Sequence, residues 1–377
     1  MRVLIFHPAL APYRIDLFNA LAEHCQPKIV FTNKNCVNQK FDQKTLTRML
    51  QVDYSYLMNG INIGGRHFRS GIGKEVVRFN PDIVITHEFS PVTLSVLLRR
   101  IVLRRKVKHV IWSADNPMMM YDEHIVRRLL RYTVLRHVNG LILYTKEMQE
   151  YYVKHFKFTK KVAIIPNTPN SETFRKKLIE SQPEMCRIAN DYRLEGKRVL
   201  LYVGRLTHVK RLDRLLNAYS KIAHQFQNTL LVLVGDGELR GSLAELSVNL
   251  NIQSQVVFTG RLEGDTLAAW YRLGSTFVLP SEFEPFGAVV NEALLAGMPV
   301  ICSKNAGARI LISNGRNGSV VDPSHPRELE SSLKKTLQNT PPITMYHLKK
   351  LRPSLLSVSF QGAVDSFVKL LMAVHHN

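Results

Sequence analysis

Short runs rich in Val, Ile and Leu recur along this chain, each separated from the next by a stretch of helical periodicity. In the first half they are RVLIFH, PKIVFT, PDIVITH, KHVIWSA, GLILYT and KVAIIPN. In the second half they are KRVLLYVGR, TLLVLVGDG, QVVFTGR, STFVLPS, MPVICSK and GSVVDP. Helices are expected at YRIDLFNALAEH, TLSVLLRRIVLRR and EHIVRRLLRYTVLRH, and the closing SFQGAVDSFVKLLMAV is amphipathic. Strands alternating with helices imply βαβ units and parallel sheets. From Pro166 to about Lys197 there is a Pro-Asn turn and polar sequence with no strong strand, which reads as a connection. The chain therefore divides near residue 170 into two Rossmann-like α/β halves.

The 377 residues are enough for two domains with separate cores. A hydrophobic share of 45% with 21% charged residues is that of an ordinary globular protein. No run approaches the roughly 18–20 apolar residues of a membrane-spanning helix. MRVLIFHPALAPYR has no long apolar core or cleavage site, so it does not read as a signal peptide. Cys25, Cys36, Cys186 and Cys302 show no CxxC spacing and read as plain thiols of a cytoplasmic protein. Net charge is +21, and it is uneven: residues 1–170 hold 26 Lys and Arg against 12 Asp and Glu. Such a field attracts polyanions, whether nucleic acid, anionic lipid or phosphorylated substrate.

In doubly wound sheets, ligands bind beyond the carboxyl ends of the strands. Three strand-to-helix turns stand out. In LLYVGRLTHVKRLDRLLNAY, Gly204 turns the backbone, Arg205 follows, and Lys210 precedes a helix with leucines at 212, 215 and 216. Two cations around a helix start suit a diphosphate. Solvated helix-start residues explain the same spacing equally well. Gly235-Asp236-Gly237 ends the next strand, but a lone G-x-G is more often a tight turn. In SEFEPFGAVVNEALLAGMPVICS, Glu284 lies in the loop and Gly287 opens a helix whose first amides face an anion. Val289, Val290, Ala293, Leu294 and Ala296 are expected to be its buried face, leaving Glu292 at the edge of the site. Carboxylates accept hydrogen bonds from sugar hydroxyls, although taken alone an exposed Glu292 and a capping Glu284 are the simpler reading.

Together these stretches resemble the family-four retaining glycosyltransferases. The resemblance runs through YVGRLTHVKRLDRLL, LVGDGELR, VVFTGRLEGDTLAAWY, STFVLPSEFEPFGAVVNEALLAGMPVICSKNAGA and NGRNGSVVDP. It continues more loosely through LAPYRIDLFNALAEH, PDIVITHEFSPVTLSVL and VAIIPN. It implies the GT-B fold: two Rossmann-like domains facing a cleft, with a C-terminal helix crossing back to the first. Residues 1–170 would bind the acceptor, 171–355 the nucleotide-sugar, and 356–377 would form the returning helix. The implied reaction moves a sugar from a nucleotide donor to a hydroxyl with retained configuration. By the same resemblance Arg205 and Lys210 hold the departing diphosphate, and Glu292 binds the ribose hydroxyls. Glu284 contacts the donor sugar with backbone amides near Phe286 and Gly287, while Gly260 and Arg261 lie where the base is gripped. Two cations and helix amides meet the leaving-group charge, each good donor being worth about 2.7–4 kcal/mol. No D-x-D element or metal-ligand cluster is present, so no metal and no cofactor is expected beyond the donor as substrate. UDP is expected because it is the family's commonest base.

The departures are specific. HPALAPYR replaces a common glycine pair, making Tyr13 and Arg14 candidates for acceptor or phosphate binding. Ala114, between Ser113 and Asp115, stands where relatives often carry histidine, so Asp115 is a candidate near the sugar. His87 and Glu88 in THEFSP are the other polar candidates, His87 for catalysis, although a lone histidine is more often structural. Arg309 lies near where relatives often have an acidic residue.

LSVLLRRIVLRRKVKH places Arg99, Arg100, Arg104, Arg105, Lys106 and Lys108 among apolar residues, and IVRRLLRYTVLRH adds Arg127, Arg128, Arg131 and Arg136. That alternation suits an anionic membrane surface and a lipid-linked acceptor. A core-facing stripe with a solvated basic face explains each helix alone. No nucleic-acid-binding module is present. The expectation is a cytoplasmic enzyme peripheral to the membrane, building a surface polysaccharide, lipopolysaccharide or glycolipid. A nucleotide-sugar epimerase of GT-B type and a non-catalytic basic surface-binding protein remain the alternatives.

Overall fold

The computed structural model of the chain describes residues 1–35, 41–63, 66–102, 107–117, 120 and 123–376. Cys36, Arg104, Arg105 and Lys106, named above, lie outside the described residues. Two compact units form, residues 1–170 with 360–377, and residues 171–359.

In the first unit the elements run β1 (Arg2–His7), α1 (Pro12–Leu21), β2 (Gln26–Phe31), α2 (Gln43–Met49) and β3 (Asp53–Tyr56). A hairpin follows, β4 (Gly60–Ile63) and β5 (Arg66–Arg69), then α3 (Ile72–Phe79), β6 (Ile83–His87), α4 (Pro91–Val102) and β7 (Lys108–Trp112). Next come α5 (Ile125–His137), β8 (Gly140–Leu143), α6 (Lys146–Phe156) and β9 (Lys161–Ile164). Among the described residues they make a seven-stranded sheet of order β3-β2-β1-β6-β7-β8-β9. Its pairings are parallel, with Ile5 beside both Ile29 and Ile85. Ile5, Ile29, Ile85 and Val110 are fully buried, because helices cover both faces of such a sheet. Strand β3 and the hairpin escaped the sequence reading: DYSY and RHFR are polar, as edge strands tolerate.

In the second unit a connection was expected from Pro166 to Lys197. Instead two helices form there, α7 (Ser171–Glu180) and α8 (Gln182–Asp191). They bury Leu178, Met185, Ile188 and Ala189 at helical spacing. After them come β10 (Arg198–Val203), α9 (Leu212–Ala223), β11 (Thr229–Val234), α10 (Arg240–Asn249), β12 (Val256–Gly260) and α11 (Gly264–Leu273). Then follow β13 (Thr276–Leu279), α12 (Val289–Leu295), β14 (Val300–Ser303), β15 (Gly318–Val321), α13 (Pro326–Asn339) and α14 (Met345–Lys349). The six-stranded sheet has order β12-β11-β10-β13-β14-β15, again with parallel pairing.

Three arginines close helix ends in this unit. Arg175 donates to Leu295 O (2.7 Å), Arg272 to Leu178 O (3.2 Å) and Arg352 to Arg272 O (2.9 Å). Carbonyls at a helix C-terminus lack intrahelical donors and carry partial negative charge, so a buried guanidinium there is compensated without a carboxylate. Burial, and then Arg272, lowers Arg352 to about 10.

The chain ends in α15 (Phe360–His375), which belongs to the first unit and contacts β9, β8 and α1. Its buried stripe is Ala363, Val364, Phe367, Leu370, Leu371 and Val374. Phe367 meets Trp112 edge to face at 5.5 Å, and Leu370 and Val374 cover Gly140, where a Cβ would lie 3.2 and 3.3 Å from their side chains.

Candidate functional site

Strand order reverses in each sheet, between β1 and β6 in the first and between β10 and β13 in the second. At such switch points the loops leave in opposite directions and open a crevice at the strands' carboxyl ends.

In the second unit, β10 delivers Gly204, Arg205 and Lys210, and β13 delivers the loop Ser281–Gly287. Lys210 sits on a single 3-10 turn, His208–Lys210, and its ammonium pairs with Glu284. The two side chains are 12% and 16% exposed, so the pair is partly desolvated. Around it Glu282 N donates to Val209 O (2.9 Å), while Arg211 and Arg214 lie 3.5 and 3.6 Å from the Glu282 carboxylate. The Glu284 loop is also laced to the turn after β14. Glu284 bridges Ala306, Gly307 N donates to Glu284 O (3.1 Å) and Ala308 N to Phe286 O (2.7 Å). Gly287 has φ +93 and lies where a Cβ would come within 2.9 Å of Leu279, which fits glycine alone.

Arg205 is exposed, and its guanidinium makes no ion pair among the described residues. Its carbonyl accepts from Tyr202 Oη at 2.8 Å. Gly235 approaches this turn so closely that a Cβ would stand 1.8 Å from Gly204 O, and its N–H donates to Gly260 O at 2.8 Å. The three glycine turns of β10, β11 and β12 thus stack backbone on backbone. Arg261 is exposed and held by Glu263, 3.0 Å from Nε.

Helix α12 differs in detail from its sequence reading. Its buried residues are Val290, Asn291, Ala293, Leu294 and Leu295, with Val289 half-buried. The helix is short and enclosed on more than one side, so apolar periodicity underestimates its buried face. Glu292 is half-buried, and its Oε2 accepts from Tyr271 Oη at 2.5 Å. Burial raises the Glu292 carboxyl above its usual range, against the Tyr271 hydrogen bond.

In the first unit the switch point lies between His7, ending β1, and His87, ending β6, with Glu88 directly after it. The two imidazoles meet edge to face at 5.1 Å. Arg14, 3% exposed on α1, stacks over Trp112 at 4.4 Å and donates to Tyr144 Oη. Burial, and then the Arg14 charge, lowers His87 to about 3, and burial, His87 and Arg14 lower His7 as well. His87 is therefore a neutral ring at physiological pH, able to donate or accept a hydrogen bond but not to act as an imidazolium acid.

Asp115 is 4% exposed, and its Oδ2 receives Arg131 (2.5 Å), Tyr152 Oη (2.6 Å) and Ser113 Oγ (2.5 Å). Burial opposes its charge, but Arg131 and these hydrogen bonds hold the carboxyl below its usual range. Asp115 is thus tied into the interior by three partners. Arg131, expected on the basic surface, is instead 1% exposed, bound to Asp115 and Glu123 and stacked over Phe89 at 4.1 Å. Arg100 is half-buried and donates to His137 O at 2.5 Å.

Glu88 is the residue whose setting the sequence signalled least. It was one polar candidate in THEFSP, but its φ of +58 and its contacts with Ser113 and Ala114 depend on a neighbouring strand. Among the described residues no group of three or more His, Cys, Asp or Glu could hold a metal ion, and no helix is long and apolar enough to cross a membrane.

Comparison with known proteins follows the two units. Residues 15–172 match the family described as Glycosyltransferase Family 4, and residues 187–350 match Glycosyl transferases group 1. An uncharacterised glycosyltransferase of Methanocaldococcus jannaschii is 36% identical over 145 residues, 38% of this chain and 37% of that protein. The alpha-monoglucosyldiacylglycerol synthase of Streptococcus pneumoniae is 28% identical over 173 residues, 46% of this chain and 39% of that one. These matches span well under two thirds of either relative's length. An Anabaena protein crystallised with UDP and glucose superposes with a TM-score of 0.72 over 99% of this chain and 100% of that chain, at 16% identity, a likeness of fold. With both units matched and two parallel Rossmann-like sheets present, the chain belongs to the group 1, family-four glycosyltransferases and has their GT-B fold.

Proposed function

We propose that this protein transfers a sugar from a nucleotide-sugar, in the UDP series, to a hydroxyl of a saccharide or lipid-linked acceptor, with retained anomeric configuration. The observation that carries the reading is the junction at the β10/β13 switch point, where Lys210 is paired with Glu284 and Arg205 stands exposed, with no ion pair among the described residues. A diphosphate entering there meets two cations, and Glu284 turns from Lys210 to accept from sugar hydroxyls. Charge developing on the leaving phosphate is then met by groups already in position, each worth about 2.7–4 kcal/mol. Glu292 is assigned to the ribose hydroxyls, Gly260 and Arg261 to the base, and the amides near Phe286 and Gly287 to the sugar. The Anabaena protein of this fold, crystallised with UDP and glucose, supports the uridine series. The Streptococcus relative, named for a glucosyl diacylglycerol, supports a lipid acceptor.

The test is thermal stability of the purified protein against a panel of nucleotide-sugars. A donor at about 100 times its Kd adds roughly 2.7 kcal/mol. Stabilisation by UDP-sugars, lost in Glu292→Ala, is expected. A folded protein indifferent to every nucleotide would overturn the reading, and donor epimerised without acceptor would replace it.

The acceptor side includes an anionic membrane surface. Helix α5 exposes Ile125, Val126, Leu129 and Tyr132, spaced as one helical face, with Arg127, Arg128 and Arg136 also exposed on it. Apolar insertion flanked by cations suits an anionic bilayer. Sedimentation with phosphatidylglycerol vesicles is expected, reduced in Leu129→Asp and by salt. Equal sedimentation of wild type and variant would remove this surface from the reading.

A further inference from the structure

We propose that Glu88, with the His87 ring beside it, forms a subsite for hydroxyl groups of a saccharide or polyol acceptor at the carboxyl edge of the first sheet. The inference rests on the transfer reading above and adds a residue to its acceptor side.

Glu88 follows β6 directly, at the sheet's switch point, where an open α/β sheet receives its ligand. Its backbone is left-handed, φ +58, a conformation that costs a side-chain-bearing residue free energy and persists only where its surroundings hold it. Here they do. Glu88 N donates to Trp112 O at 2.9 Å, and Thr93 Oγ1 donates to Glu88 O at 2.6 Å. The carboxyl is held too: Oε1 accepts from Ala114 N at 2.8 Å, and Oε2 lies 3.2 Å from Ser113 Oγ, whose one hydrogen is shared with the nearer Asp115.

What lies beneath is closed and what lies above is open. The side chains of Asp115 and Arg131 are 2% and 1% exposed, whereas those of Glu88 and His87 are 32% and 18% exposed. The Glu88 carboxyl is thus partly open to solvent, and His87 Nδ1 stands 3.8 Å from Oε1. A rigid carboxyl beside a ring nitrogen suits adjacent hydroxyls, which donate to one and accept from the other.

The groups facing Glu88 set its titration. His87 is its neighbour in sequence, Ser113 and Asp115 come from the segment after β7, Arg131 from α5 and Tyr144 from the end of β8; behind these stand Tyr152 on α6, bound to Asp115, and Arg14 on α1, beside Tyr144. Burial, and then the Asp115 charge, raises the carboxyl to about 8, against the Ala114 amide, Arg131 and Ser113. Hydroxyls bind the charged form more strongly, so acceptor affinity is expected to rise with pH through that value.

The experiment uses the full chain, UDP-glucose and n-octyl β-D-glucopyranoside as probe acceptor, with wild type, Glu88→Gln and Glu88→Asp. Glutamine keeps the Ala114 contact and is expected to fold. Its donor-induced thermal shift should equal wild type, while its KM for the glycoside rises about tenfold or more and the alkaline improvement disappears. Aspartate, shorter by one methylene, should fall between them and retain a pH dependence. Independently of turnover, the 13C carboxyl resonance of Glu88, assigned by its loss in Glu88→Gln, should move when the glycoside is added. A Gln variant with wild-type KM and pH profile, or a resonance indifferent to the glycoside, would overturn the subsite. Failure of UDP-sugars to stabilise the wild type would instead count against the donor reading.

Discussion

Lys210 and Arg131 are both cations held by carboxylates, and their settings predict opposite consequences of removal. Lys210 lies at a strand mouth, and Glu284 is its one ion-pair partner among the described residues. Lys210→Ala is expected to leave folding nearly intact and to lower kcat by about 10²–10³, as loss of one preorganised donor does. Steady-state kinetics on the donor check it, and an unchanged kcat would take Lys210 out of the site. Arg131 is buried between Asp115 and Glu123. Arg131→Met strands the buried Asp115 charge and leaves Glu123 with Arg127 alone, 3.5 Å away, and is expected to cost about 3–5 kcal/mol in urea unfolding. Adding Asp115→Asn to that variant should recover part of the loss, because one stranded charge is removed. Nothing in the spacing of RRLLRY distinguishes Arg131 from Arg127 or Arg128. Only the turn of the helix toward Asp115 does, which is why the basic surface read from sequence was too large.

At the scale of elements, α15 shows what periodicity reveals. Its apolar positions predict one buried stripe, and that stripe is the one that packs. The identity of its partners, Trp112 and Gly140, was not legible, since the helix lies more than 200 residues after either. Phe367 is fully buried, so Phe367→Ala is expected to destabilise the first unit by about 3–5 kcal/mol, measured by its unfolding midpoint. A change within 0.5 kcal/mol would mean that the helix contributes little there. Helices α7 and α8 are the converse case. Their sequence is polar enough to read as a linker, and only packing against α11 and α12 makes their few apolar residues a core face.

For the whole molecule, acid is expected to act chiefly on the first unit. Burial, and then charge from Arg100, lowers His109 to about 3, and His7 and His87 are lowered with it. A histidine whose folded pKa is depressed binds its proton first in the unfolded chain. Stability is therefore lost as pH falls from 6.5 toward about 3, with Glu88 opposing part of the trend. His109→Asn should flatten the curve of unfolding free energy against pH over that window. An identical slope would place His109's titration elsewhere.

The alternation of apolar strands and helices was enough to determine two parallel sheets, because βαβ geometry leaves few other ways to bury such strands. The turn residues likewise marked Gly204, Arg205, Lys210, Glu284 and Glu292 as candidates, since glycine and charge at strand ends are local signals. Strand order was decided by tertiary structure, and with it the switch points that bring His7 to His87 and Lys210 to Glu284. So was the division of charged residues between interior and surface. Those contacts join residues up to 80 positions apart, and a local pattern holds no record of which distant group will neutralise a buried charge or hold a strained backbone in place.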